Sequence, residues 1–292
     1  MDLNVIAIVI VSTFMHAGWN LLARYDRAEG AFYRKMLIIT MLVGVIPAVV
    51  GELRLQAMTP LTWACVIGSG FCAAFYLFGL AKAFGSSDFT IVYPVARALP
   101  VIFIAFIDVA RGRPLTPIGW IGILLVSTGV ILVPLRSFRE FHLSNYYNRT
   151  SMWMVLAALG TVGYTFLDKV AAEVIMPGAV AAAIYCYIYF TVSYPPYEGL
   201  FRLSKLERGN GTRAVWVRAA FAAAMGFGAY WLILWAYQLS PYASYIVAFR
   251  QFSIVIGAII AFLYYKEGGV AVRLTGALLI TCGMILIAGW GR

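Results

Sequence analysis

Ten apolar runs of about twenty residues follow one another along this chain: 3–23, 33–51, 61–82, 88–108, 115–135, 151–171, 178–200, 214–238, 242–264 and 270–290. Wound as α-helix, twenty residues match the ~30 Å hydrocarbon core of a bilayer. A membrane barrel would need short strands of alternating character. These runs are continuously apolar, so the expected fold class is an all-α membrane protein with ten transmembrane helices. The joints carry turn signals such as "FGSSD", "ARGRPLTP", "MPG" and "LSPYAS". The first run has no small-residue cleavage site after it and reads as a retained span.

Of the 292 residues, 63% are hydrophobic and 12% are charged. Soluble domains carry roughly 25% charged residues. The net charge of +10 is therefore not the footprint of a nucleic-acid binder. Lysine and arginine here mark one side of a bilayer. Cys65, Cys72, Cys186 and Cys282 lie inside apolar runs, without disulfide or metal spacing, and read as packing residues.

The chain is internally duplicated. "GILLVSTGVILV" (122–133) matches "GALLITCGMILI" (276–287), "TIVYPVARALPVIFIAF" (90–106) matches "YIVAFRQFSIVIGAIIAF" (245–262), and "HAGWNLLARYD" (16–26) matches "TVGYTFLDKVA" (161–171). The duplicated unit holds five spans. Five is odd, so the second copy starts on the opposite side of the membrane from the first. Inverted repeats of this kind recur in secondary transporters, with the substrate site at the midplane between them. The expected organisation is a first repeat at 1–135, a linker loop at 136–150, a second repeat at 151–292, and a central cavity.

Ten helices, the 5+5 duplication and "GxLLxxxGxxLv" closing each half resemble the drug/metabolite transporter (DMT) superfamily, EamA-type branch. "HAGWN" and "YPVARALP" are similar to a subgroup of that branch, the YddG-type exporters of aromatic amino acids. The resemblance covers the whole chain. It implies export of small metabolites across the cell inner membrane by alternating access. One departure stands out. The branch carries an acid after its fourth and its ninth helix. This chain keeps the second, Glu267, and has Arg111 in place of the first.

An ionisable group at membrane depth is costly and reads as functional by default. All twelve acids fall at span ends or in loops, whereas Arg97, Arg250 and His16 fall inside spans. The guanidinium is a planar fork that suits a carboxylate or phosphate. A substrate with an anionic group is thus expected over a simple organic cation. Structural roles compete: Arg97 could bond a carbonyl freed by Pro94 or Pro100, Arg250 could snorkel, and His16 could be a satisfied core histidine. Five tyrosines fall at cavity depth, Tyr76, Tyr93, Tyr164, Tyr230 and Tyr245. With Trp19 they could wall an aromatic side chain and hold an ammonium through cation–π attraction. His16, Trp19 and Asn20 stand at i, i+3 and i+4 and share one helix face. Asn20 would read the substrate's polar end, and His16 could link transport to protons. Thr161, Tyr164 and Thr165 form the corresponding stripe in the second half.

Only two histidines exist, and His142 falls in a loop. There is no HExxH, no paired mid-span acids and no P-loop. No catalytic residue, metal site or cofactor is expected. The expected partners are a small-molecule substrate and the lipid bilayer, with no nucleic acid, and the chain reads as a monomer. Two other readings stay open: a flippase or exchanger for a lipid-linked or nucleotide sugar, and a non-transporting scaffold. Of the 22 Lys and Arg, fifteen fall in odd-numbered loops and five on the other side. Positive-inside counting places both termini outside the cytoplasm, whereas the resemblance implies cytoplasmic termini.

Overall fold

A bilayer offers no hydrogen bonds to an exposed backbone, so each span must satisfy its own amides, and an α-helix does so within the segment. The structure, a computed structural model, describes the chain except residues 25–28, 84–88, 136, 138–147, 205, 207–211, 266–268 and 292; at 24, 29, 89–96 and 261–265 it describes the backbone alone. The described residues form helices α1 (Leu3–Arg24), α2 (Glu29–Leu55), α3 (Pro60–Ala83), α4 (Phe89–Ala110), α5 (Pro117–Leu132), α6 (Arg149–Val174), α7 (Ala179–Leu203), α8 (Arg213–Leu239), α9 (Ala243–Arg250), α10 (Phe252–Tyr265) and α11 (Val270–Trp290). No strand occurs among them. Most of the expected linker and Glu267 lie outside the described residues.

Among the described residues, seven segments are long and apolar enough to cross a membrane, and the chain is a multi-pass membrane protein. Two of the other expected spans differ for physical reasons. At 16 residues, α5 is about 24 Å long, short of the hydrocarbon core. Pro195 and Pro196, together with five tyrosines, make α7 less apolar. The ninth expected span is one of the seven, at Ala243–Ile260, and it is broken into α9 and α10 at Gln251. There the Gln251 amide N–H reaches only back to Ala248 O (3.1 Å), and its side-chain amide donates to Val247 O (3.2 Å). Ser253 Oγ takes the Arg250 carbonyl (2.9 Å). Side chains thus satisfy the carbonyls that the break releases.

Polar side chains fix the ends of several helices. Thr116 caps α5 by accepting from Gly119 N, ahead of Pro117 at the first position. Asn148 caps α6 through Ser151 N. The buried carboxylate of Asp108 accepts from Ser244 N (2.8 Å) and Ala243 N (3.4 Å), at the positive end of α9. Lys169 Nζ donates to Tyr237 O (2.7 Å) and Ser240 O (2.6 Å), at the negative end of α8.

The main packing partners are α1 with α8, α2 with α7, α3 with α6, and α5 with α11. Further contacts join α3 to α7, α2 to α8, α4 to α5, α6 and α9, and α1 to α9 and α10. The α5–α11 seam shows why glycine recurs at a spacing of seven. A methyl placed on Gly129 would come within 2.5 Å of Gly276 O, and one on Gly283 within 2.5 Å of Gly122 O. The two backbones touch where any side chain would part them. The register is Gly122 on Gly283 and Gly129 on Gly276, so the helices run antiparallel. The contact of Gly18 with Met225 and of Gly228 with Met15 makes α1 and α8 antiparallel as well.

Gly129→Ala is expected to lower the thermal unfolding temperature of the detergent-solubilised protein, because overpacking a close seam costs about 1–3 kcal/mol. Gly289→Ala, in the same seam helix but facing open space, is expected to leave it unchanged or raise it slightly.

Candidate functional site

A cavity of about 70 Å3 lies among the helices, lined by His16 and Trp19 from α1, Tyr33, Met36 and Thr40 from α2, Tyr76 from α3, Tyr164 from α6, Tyr189, Phe190 and Ser193 from α7, Tyr230 from α8 and Arg250 from α9. A smaller one of about 20 Å3 adjoins it, lined by Arg97, Pro100, Thr161, Val247 and Gln251, and shares Tyr76, Tyr164 and Arg250. At about half of the ~150 Å3 that can hold a benzene ring, the main cavity is contracted.

Helical spacing puts His16 and Trp19 on one face, and the indole N–H of Trp19 donates to His16 Nδ1 (3.0 Å). The rings meet edge to face at 5.2 Å. On its other side His16 Nε2 stands 3.2 Å from Arg97 Nη1. Arg97 Nη2 donates to Ser253 Oγ (3.2 Å), which the helix break at Gln251 turns toward it. The guanidinium of Arg250 lies over the Tyr230 ring at 5.7 Å, a cation–π distance. Among the described residues, neither Arg97 nor Arg250 makes an ion pair. Other acids are committed elsewhere: Glu173 to Arg111, Arg113 and Lys169, and Glu198 to Arg34 and Arg202.

The tyrosines form one cluster. Tyr164 packs edge to face on Tyr76 (5.8 Å), Tyr189 (6.3 Å) and Tyr230 (5.8 Å). Tyr189 and Tyr230 are 4.6 Å apart. Beneath them sits Asp168, which is fully buried. Its carboxylate accepts from Ser69 Oγ (2.5 Å), Tyr185 Oη (2.6 Å) and Tyr230 Oη. Four helices, α3, α6, α7 and α8, thus converge on one carboxylate.

Several sequence expectations need correction. Asp168 belongs not to a span end but to the interior, because α6 continues to Val174, about 9 Å further. Acids are therefore not confined to the ends, although the acid at depth is held by hydroxyls. Asn20 lines neither cavity: its amide donates to the carbonyl of His16 (2.7 Å), one turn back on its own helix. Tyr245 lies near the start of α9, packed against Tyr242 and the end of α11, beside a different cavity with Met1 and Asp2. The side chain of Tyr93 lies outside the described residues. Thr161 and Tyr164 line the site, and Thr165 is buried away from both cavities. The structure brings His16, Trp19, Tyr76, Arg97, Tyr164, Tyr230 and Arg250 together.

No family model matches the sequence, and no curated protein matches it. Twenty-six solved chains do match in fold. One crystal structure of a protein superimposes with a TM-score of 0.72 over 99% of both chains at 13% identity. At that identity the likeness establishes the fold and nothing of the activity.

Asp168→Ala orphans three buried hydroxyls, at roughly 1–3 kcal/mol for each group left unmatched. Asp168→Asn keeps an acceptor oxygen. The alanine variant is expected to unfold at a clearly lower temperature than the asparagine variant in the same detergent, with both below the parent.

Proposed function

We propose that the chain is a secondary transporter of the cell inner membrane that exports small metabolites bearing a carboxylate, most of all amino acids with bulky aromatic or apolar side chains. The observation that carries this reading is the pair Arg97 and Arg250, which among the described residues have no ion-pair partner and flank cavities walled by aromatic rings. Arg250 is buried and Arg97 half-buried, and a buried cation without an anion costs several kcal/mol unless a ligand supplies one. The arginines suit the carboxylate, and the rings suit the side chain. Tyrosine faces and hydroxyls can take an ammonium.

Alternating access between two inverted five-helix halves is part of the proposal. Its support is the packing pattern. Exchange α1 with α6, α2 with α7, α3 with α8, α4 with α9 and α10, and α5 with α11. Then α3–α6 becomes α8–α1, α3–α7 becomes α8–α2, and α4–α6 becomes the contact of α9 and α10 with α1. The pairs α2–α7 and α5–α11 map onto themselves. All of these pairs are in contact in the molecule. The antiparallel glycine register adds to this, since an axis lying in the membrane plane relates antiparallel helices. The contracted cavity fits a transporter between its open states, because a bulky amino acid enters only when the helices part. Membership of the EamA-type branch of the DMT superfamily is consistent with the same features.

The purified protein in liposomes loaded with unlabelled phenylalanine is expected to accumulate labelled phenylalanine by counterflow. Arg97→Gln is expected to cut the initial rate at least tenfold, the loss that goes with one charge-assisted hydrogen bond. Uptake restricted to organic cations or to nucleotide sugars would overturn the proposal, and so would no uptake of any kind.

A further inference from the structure

The hydrogen-bond account of His16 does not close within the protein. The indole of Trp19 is a donor only. It lies 3.0 Å from His16 Nδ1, closer than Arg97 Nη1 lies to Nε2 (3.2 Å), and the closer donor assigns the lone pair to Nδ1. A neutral imidazole then bears its proton on Nε2. The doubly protonated ring is unsuitable, because a proton on Nδ1 would point at the indole N–H. Nε2–H faces Arg97 Nη1 across 3.2 Å, and a guanidinium nitrogen is again a donor only. Two donors facing each other make no bond. The rest of Arg97 repeats the shortage. Nη2 has only the Ser253 hydroxyl, whose own proton goes to the Arg250 carbonyl, and Nε is buried with no acceptor. Arg250 differs. Its charge rests on Tyr230, and the Tyr230 hydroxyl is bonded to Asp168, so its surroundings lead to a carboxylate.

We infer that His16 Nε2–H and Arg97 Nη1–H, which touch at 3.2 Å, part to form the seat of the substrate's carboxylate, and that Trp19 is a positioning residue that keeps His16 in the donating tautomer. The inference rests on the transport reading and adds which atoms take the anion. One carboxylate oxygen accepts from both Nε2–H and Nη1–H, so the two facing donors become two bonds to one acceptor. The seat joins the two cavities, because His16 lines the larger and Arg97 the smaller. The remainder of an amino acid then falls among Tyr76, Tyr164 and Tyr230, which line the larger cavity. In this arrangement His16 is a fixed donor, not a proton carrier, because protonating Nδ1 would break its bond to Trp19.

The test is nitrogen NMR of the full chain in nanodiscs with labelled histidine, in a His142→Gln background so that His16 alone reports. Benzoate is the carboxylate probe, and benzyl alcohol is its uncharged counterpart. The expected result is a proton on Nε2 in the free protein, with a saturable shift of that signal on adding benzoate and none with benzyl alcohol. Trp19→Phe is expected to move the proton to Nδ1, let Nε2 accept from Arg97 and weaken benzoate about tenfold. An unprotonated Nε2 in the parent protein, or a signal that ignores benzoate, overturns the inference, and neither readout depends on the Trp19 variant folding. Counterflow without the benzoate shift sinks the seat and leaves the transport reading standing. The benzoate shift without counterflow does the reverse.

Discussion

A guanidinium inside a bilayer needs an anion, a π face or an aqueous path, and the architecture of this protein is organised around two of them. Arg250 ends a short helix, α9, whose eight residues are all buried. It is held over Tyr230, and Tyr230 is anchored through its hydroxyl to Asp168. Asp168 in turn collects hydroxyls from α3 and α7. One charge network therefore ties α9 to both halves of the chain. Removing any member leaves a buried group unmatched, which is costly where no water can replace it. The position of α9 is set from its other end by Asp108, which binds the first two amides of the helix.

The glycine seam between α5 and α11 plays the complementary part. Lipid tails are as apolar as leucine, so helices in a bilayer associate by close packing and not by hydrophobic exclusion. Gly122, Gly129, Gly276 and Gly283 permit backbone contact over two turns. Helix ends are thereby fixed away from the site, while the site itself is built from larger, polar side chains.

The sequence was legible where one physical rule dominated. Apolar run length located the helices to within a few residues, since the bilayer allows little else. The shared face of His16 and Trp19 followed from helical spacing alone. Asn20 met the same spacing rule and failed, because a short amide finds the carbonyl one turn back on its own helix. Tyr245 failed because depth along a span does not say which side of the helix faces the cavity. Tyr33, Tyr189 and Ser193 were not found at all: with 18 tyrosines in the chain, membership of the site depends on helix packing that local pattern cannot specify. Asp168 was misplaced because its run of apolar residues ends early, while the helix continues through polar positions to Val174. The break at Gln251 had no proline or glycine to announce it.

Stability alone gives no reason to keep Arg97. Its Nε has no acceptor, one Nη faces His16 Nε2, and the other has a single serine hydroxyl. A half-buried charge so poorly matched is less stable than a leucine or methionine of similar size, since even a well-made buried ion pair often gains nothing over an apolar replacement. The neighbouring Arg250 shows that the fold can supply an aromatic face and a linked carboxylate to a cation at this depth. The protein supplies neither to Arg97. Donors left open beside a cavity, close to an Arg250 held on a ring and an Asp168 held by three hydroxyls, are where the proposed substrate carboxylate would find its partners.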